Sequence, residues 1–125
     1  MSVFIQSFTI EAELPTLNEY IAAERGNRFA ASRMKCDWTE IVRGSAYGLR
    51  PVRNYPVQIC CTWWMKDRRK DLDNVRFGVK FVLDGLQAAG VLRGDGQQYV
   101  AEFEDIFRMS KARPRVEVAI VEAEK

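Results

Sequence analysis

Four stretches of the chain alternate between apolar and polar residues, which is the pattern of strands buried on one face. The clearest is 57–65, where apolar residues occupy every second position. Weaker alternation predicts strands over 3–12, 98–109 and 115–122. Asp105 interrupts the strand over 98–109, which suggests a bulge, and the turn residues of "SKARP" predict a hairpin between the last two strands.

Two segments between these strands carry apolar residues at helical spacing. Thr16 is suited to cap a helix beginning at Leu17, and "RGNR" at 25–28 is expected to break that helix into two. A second helix is predicted over about 73–89, closed by Gly90. The resulting order, β-α-β-α-β-β, predicts an α+β fold with two main helices packed on one mixed sheet.

Length and composition fit a single globular domain. The chain has 125 residues, of which 47% are hydrophobic and 29% charged, as is usual for one folded core. We therefore expect residues 1–125 to form one domain. No stretch approaches the ~20 apolar residues of a membrane span, and "MSVFIQSFTI" does not resemble a secretion signal. The expectation is a soluble, cytoplasmic protein with no membrane partner.

The chain contains no histidine, and this excludes several kinds of site. Imidazole is the usual general base near neutral pH, so catalytic triads and HNH-type nuclease sites are not available. The three cysteines, Cys36, Cys60 and Cys61, form no CxxC pair. We expect them to be reduced core residues rather than zinc ligands. Any catalysis has to use carboxylates, lysines or hydroxyl groups.

Basic residues are concentrated in two clusters, although the net charge is only +2. One cluster leads into the second helix and the other extends from Arg108 to Arg115, so the two could converge in the fold. Clustered cations, rather than net charge, mark a surface for nucleic acid. The residues that we predict to contact DNA are Lys66, Arg68, Arg69, Lys70, Arg76, Lys111, Arg113 and Arg115.

The first cluster continues directly into two carboxylates in "KDRRKDLDN". One interpretation is that Asp71 or Asp73 merely caps the helix, while Lys80 and Asp84, on the same helical face as Asp73, form an ion pair. The other is that the cations attract a phosphate backbone and the carboxylates hold a metal that assists its cleavage. Asp95, between two glycines in the loop after the helix, offers a third carboxylate.

These residues resemble the RusA-type Holliday junction resolvases, small dimeric endonucleases common in phages and prophages. The similarity covers "RRKDLDN" and "KFVLDGLQAAGVLRGDGQ", and it is weaker at "LPTLNEY". The resemblance implies that Asp71, Asp73 and Asp95 bind Mg²⁺, for which Mn²⁺ can substitute, and that Lys80 stabilises charge on the scissile phosphate. It also implies a homodimer that makes paired nicks in four-way DNA junctions during recombination and repair.

Two positions depart from the family pattern. Lys80 follows Asp73 by seven residues, where the best-known members have four, and Gly94 precedes Asp95 where many members have an acid. Two other functions stay open: a DNA-binding or protein-binding module without catalysis, and a metal-dependent nuclease that acts on other branched DNA. The sequence predicts a Mg²⁺-dependent junction endonuclease ahead of both.

Overall fold

The computed structural model describes residues 3–123. Along the chain its elements are β1 Val3–Ile10, α1 Leu17–Gly26, α2 Arg28–Ser45, β2 Val57–Met65, α3 Leu72–Arg76, α4 Val79–Ala88, β3 Val100–Met109 and β4 Arg115–Glu122. The strands form one mixed sheet in the order β1-β4-β2-β3. The predicted α+β fold in a single small domain is confirmed. Within the described range, no helix combines the length and apolar character needed to cross a membrane.

The predicted hairpin between β3 and β4 is wrong, because β2 lies between these two strands. β2 pairs parallel with β3 and antiparallel with β4, and β4 pairs antiparallel with β1. Every second residue of β2 is buried, which suits a central strand with neighbours on both sides. The chain reaches β3 through α3 and α4, since parallel strands need a long crossover.

The predicted bulge at Asp105 is also wrong. Asp105 lies opposite Cys61 in a continuous part of the β2–β3 register, and the register shifts instead between Val57 and Gln58. The polar residue at an apolar position reflects a bonded side chain, because the carboxylate accepts a hydrogen bond from Trp63 Nε1 at 2.8 Å.

The core lies between the helices and one face of the sheet. β2 presents Ile59, Cys61 and Trp63 to this face, and the helices contribute Phe81 and Leu86, all of them at most 2% exposed. The other face is only half-buried and more polar. Because Phe81 is enclosed in this core, it is not available as a contact between chains.

The first helical segment is divided as the sequence predicts. α1 begins with a capping box, in which the Thr16 hydroxyl accepts from the Glu19 N–H at 3.3 Å and the Glu19 carboxylate accepts from the Thr16 N–H at 3.2 Å. Asn27 then ends α1 with extended backbone and caps α2, accepting from the Phe29 N–H at 2.7 Å.

The second predicted helix is in fact two helices, α3 and α4, separated at Phe77 and Gly78. The Gly78 N–H bonds to the carbonyl of Val75 at 3.1 Å, a three-residue span that tightens the chain locally. Space requires glycine here, because a Cβ would lie 2.9 Å from Leu14 Cβ and 3.0 Å from the Trp63 ring.

α4 crosses α2 closely at a different glycine, Gly85. A Cβ at this position would lie 2.3 Å from Val42 Cγ1 and 3.2 Å from the backbone nitrogen of Arg43. The two helices therefore approach closely at this point, and a larger residue would force them apart.

The cysteines are free thiols but not all of them are core residues. Cys61 is buried and Cys60 is half-buried, and burial raises the pKa of both thiols. Cys36 is exposed on α2, so the prediction of a core position is wrong for this residue.

Candidate functional site

Asp71 and Asp73 lie beyond the carboxyl end of β2, where α3 begins. Asp71 occupies the N-cap position, but its side chain makes no capping hydrogen bond. Asp73 lies in the first turn and accepts only from the adjacent Asn74 N–H, at 3.0 Å. Both side chains are exposed. Neither carboxylate caps the helix in the usual way, through the N–H group two or three residues further on.

A cleft of about 500 Å³ opens beside Asp71 at the carboxyl ends of β2 and β3. Arg68 and Lys70 line it from the loop after β2, and Arg108 lines it from β3. The two basic clusters of the sequence therefore meet at this cleft. The apolar part of its lining consists of Met65, Leu72, Phe107 and Met109.

The remaining predicted DNA contacts fall into two groups. Within residues 3–123, Lys66, Arg68, Arg69 and Lys111 take part in no ion pair and are exposed. Lys70 has a long contact of 3.8 Å with Glu19. The exposed, unpaired cations are available to phosphates.

Three predicted contacts are already occupied by other groups. Arg76 Nε donates to Asp105 Oδ2 at 2.8 Å. Arg113 Nε donates to Glu11 at 2.9 Å, and this bond lowers the pKa of the Glu11 carboxyl. Arg115 is the most enclosed, at 13% exposure of its side chain.

Arg115 lies against an aromatic ring on the polar face of the sheet. Its guanidinium carbon is 4.4 Å from the centre of the Trp64 ring, and its Nε is 3.7 Å from Glu117. A cation held in this way is a poorer phosphate ligand than Arg68, because its charge is partly compensated.

Lys80 does not share a continuous helical face with Asp73, and that part of the prediction is wrong. The turn at Gly78 separates α3 from α4, so the angle per residue of a single helix does not apply between them. The alternative pair with Asp84 is not formed among the described residues either. The role of Lys80 at a scissile phosphate stays a prediction.

Asp95 lies at the opposite end of β2 from Asp71 and Asp73. Its loop is fixed beside the amino ends of β2 and β3, since the Val57 N–H bonds to the Tyr99 carbonyl at 2.8 Å and the Arg93 N–H bonds to the Tyr55 hydroxyl at 3.1 Å. β2 has nine residues, which corresponds to roughly 25 Å of strand. The loop is thus far from α3 within one chain.

The same loop explains the glycine that precedes Asp95. A Cβ on Gly94 would lie 2.8 Å from the ring of Tyr99. An acid at position 94 would collide with this ring, so the departure from the family pattern has a packing cause.

A metal site formed by all three aspartates does not fit the geometry of a single chain. Among residues 3–123, no group of three or more Asp, Glu or Cys side chains is arranged to hold a metal ion. Asp71 and Asp73 remain suitable together, because Mg²⁺ is commonly held by one or two carboxylates with the substrate phosphate and water as its other ligands.

Comparison with protein-family models gives no match to this chain. No curated protein matches it either. The similarity to the RusA-type resolvases therefore rests on the residues quoted above.

Two features of the site could not be read from the sequence. Asp105 connects β3 with α3 by bonding Arg76 and Trp63, but the interrupted alternation suggested a bulge. Arg108 reaches the cleft only because β3 lies parallel to β2. A signal for Asp105 did exist: a single acid within an apolar run often has a buried partner.

Proposed function

We propose that this protein is a Mg²⁺-dependent, structure-selective endodeoxyribonuclease that resolves four-way DNA junctions. The observation that carries the proposal is the state of Asp71: a carboxylate at a helix N-cap that makes no cap bond and instead borders a cleft lined by Arg68, Lys70 and Arg108. Carboxylates beside unpaired cations are what phosphodiester cleavage assisted by a divalent metal requires.

The residues of the cleft divide the work. Arg68, Lys70 and Arg108 attract the DNA backbone, since each phosphate neutralised releases counterions. Asp71 and Asp73 would hold Mg²⁺, which when bound polarises the phosphate and favours ionisation of a water molecule. The exposed Lys66, Arg69 and Lys111 extend the positive surface on both sides of the cleft.

The test is a nicking assay on a synthetic four-way junction, with and without Mg²⁺. We expect nicking of the wild-type protein only with the metal, and a loss of at least about a hundredfold in Asp73→Asn. Asp37→Asn, at an exposed position of α2, is the matched control and should nick normally. An active Asp73→Asn variant would contradict the proposal.

Binding without metal separates catalysis from recognition. With the metal chelated, the aspartates repel the phosphate, so Asp73→Asn should bind the junction equally well or more tightly. Wild-type protein that binds the junction with no nicking at any concentration of Mg²⁺ or Mn²⁺ would favour the non-catalytic DNA-binding module. Equal nicking of a junction, a flap and a fork would indicate a nuclease for branched DNA in general.

A further inference from the structure

The two edges of the sheet are protected unequally. At the β1 edge, the Gln6 side chain donates to the Arg50 carbonyl at 2.6 Å and accepts from the Arg50 N–H at 3.0 Å. The chain around Arg50 thereby covers that edge. β3 forms the other edge, ten residues long, and among the described strands it pairs only with β2. A long open edge is a template for another strand.

Apolar side chains are exposed along the β3 edge. Phe103 is 45% exposed and Met109 46% exposed, and Leu72 of the adjacent α3 is 49% exposed. Phe103 and Met109 lie on the same side of the sheet as Asp105, because residues alternate along a strand. An exposed apolar stripe at an open edge indicates a surface that another chain covers.

The sequence of β3 is complementary to itself when two copies pair antiparallel about Ile106. In that register Phe103 faces the partner's Met109 on the helical side of the sheet. On the other side Glu104 faces the partner's Arg108, and both pairs occur twice by symmetry. In the free chain, Arg108 donates only to the carbonyl of the adjacent Phe107, at 2.9 Å.

Neighbouring registers lose these pairs. A pairing centred on Asp105 places this carboxylate opposite the partner's Asp105, and one centred between residues 104 and 105 places Glu104 opposite the partner's Asp105. Like charges directly opposite each other disfavour both arrangements. A pairing centred between residues 105 and 106 places Phe103 opposite the partner's Arg108 and Glu104 opposite the partner's Phe107.

We propose that two copies of this chain associate through β3, antiparallel about Ile106, into one continuous eight-stranded sheet. The occupant of the edge is a second copy because the charges and the apolar residues of β3 complement each other within one strand. The surface needs no DNA and no catalysis, so it is independent of the nuclease proposal.

The same pairing has a consequence for the acids, and this part rests on the proposed function. Because the strands are antiparallel across the axis, the amino end of the partner's β3 lies beside the carboxyl end of β3. The loop that carries the partner's Asp95 then approaches the cleft with Asp71 and Asp73. Each site would combine two aspartates of one protomer with the third from its partner.

Charge reversal tests the interface directly. Glu104→Arg and Arg108→Glu each place like charges opposite each other twice, and each should weaken dimerisation by roughly tenfold to a hundredfold. The double variant Glu104→Arg/Arg108→Glu restores opposite charges and should dimerise like wild type. A mixture of the two single variants should form heterodimers, because each then offers the charge that the other lacks.

Sedimentation velocity over a concentration series measures these outcomes. Glu24→Arg, an exposed reversal on α1, is the control and should leave the dimer unchanged. All the changed residues are exposed, and circular dichroism verifies that each variant is folded. Wild-type protein that stays monomeric, or single variants that dimerise as well as wild type, would overturn the proposal.

Mixed dimers test the shared site. Asp73→Asn and Asp95→Asn protomers are co-expressed with different tags and purified through both tags, so that every dimer is mixed. A shared site leaves one intact set of aspartates, and junction nicking should recover to about half the wild-type rate. Mixed dimers as inactive as either variant alone, beside active wild type, would refute the shared site. Wild type that never nicks refutes the nuclease function, while sedimentation still decides the interface.

Discussion

The two ends of the β2–β3 pair are built on different physical principles. At the carboxyl end, side chains of like charge surround a cleft and few hydrogen bonds restrain them. At the amino end, Tyr55 and Tyr99 pack edge to face with ring centres 5.2 Å apart, and Arg93 lies 5.4 Å from the Tyr55 ring. The carboxyl end keeps its charges available to a ligand, whereas the amino end uses its polar groups to fix a loop.

The comparison is broken most strongly if cations at the two ends contribute equally to DNA binding. We expect Arg68→Ala/Lys111→Ala to weaken junction binding by about tenfold to a hundredfold. The slope of log K against log salt should become shallower by about 0.9 for each phosphate that the variant no longer neutralises. Arg53→Ala/Arg93→Ala, at the amino end, is the control and should have little effect. Fluorescence anisotropy at several salt concentrations measures both, and equal losses of affinity would remove the functional distinction.

Stability variants show what holds each end. Asp105→Ala leaves Arg76 and Trp63 Nε1 without their acceptor, and we expect the free energy of unfolding to fall by about 2 kcal/mol. Tyr55→Phe removes one bond to a backbone N–H at the amino end and should cost about 1 kcal/mol. Urea denaturation measures both variants, and a smaller loss in Asp105→Ala would mean that α3 is held mainly by apolar packing.

The N-caps offer a sharper distinction between structural and functional polar residues. Thr16→Ala removes a capping box and should destabilise the fold by about 1 kcal/mol. Asp71→Ala removes a side chain that makes no cap bond, so its effect should stay within about 0.5 kcal/mol. Thermal denaturation compares them, and a loss in Asp71→Ala as large as that in Thr16→Ala would restore the cap interpretation.

The smallest expected effect concerns the occupied cations. Arg113 bonding lowers the pKa of Glu11, so this carboxylate is ionised throughout the neutral range and compensates Arg113. Glu11→Gln should free the guanidinium and tighten junction binding by about twofold. Glu13→Gln is the control on the same segment. Unchanged affinity in Glu11→Gln would place Arg113 outside the DNA-binding surface.

Local patterns in the sequence predicted most of the fold. Alternation located β2 from Val57 to Met65, and Thr16 and Asn27 marked the starts of α1 and α2. These predictions succeed because capping and one-sided burial depend on residues close together in the chain.

The sequence by itself determined the α+β class, the position of two carboxylates beside a cationic run, and the absence of histidine chemistry. Only the tertiary structure decided which strands are neighbours, that Gly78 divides a helix, and that Asp95 lies at the other end of β2 from Asp71. The physical reason is that strand order and crossover direction depend on how buried faces pack together, and residues distant in the chain contribute to this packing. The hydrophobic pattern of β2 required neighbours on both sides, and the packed structure chose β3 and β4.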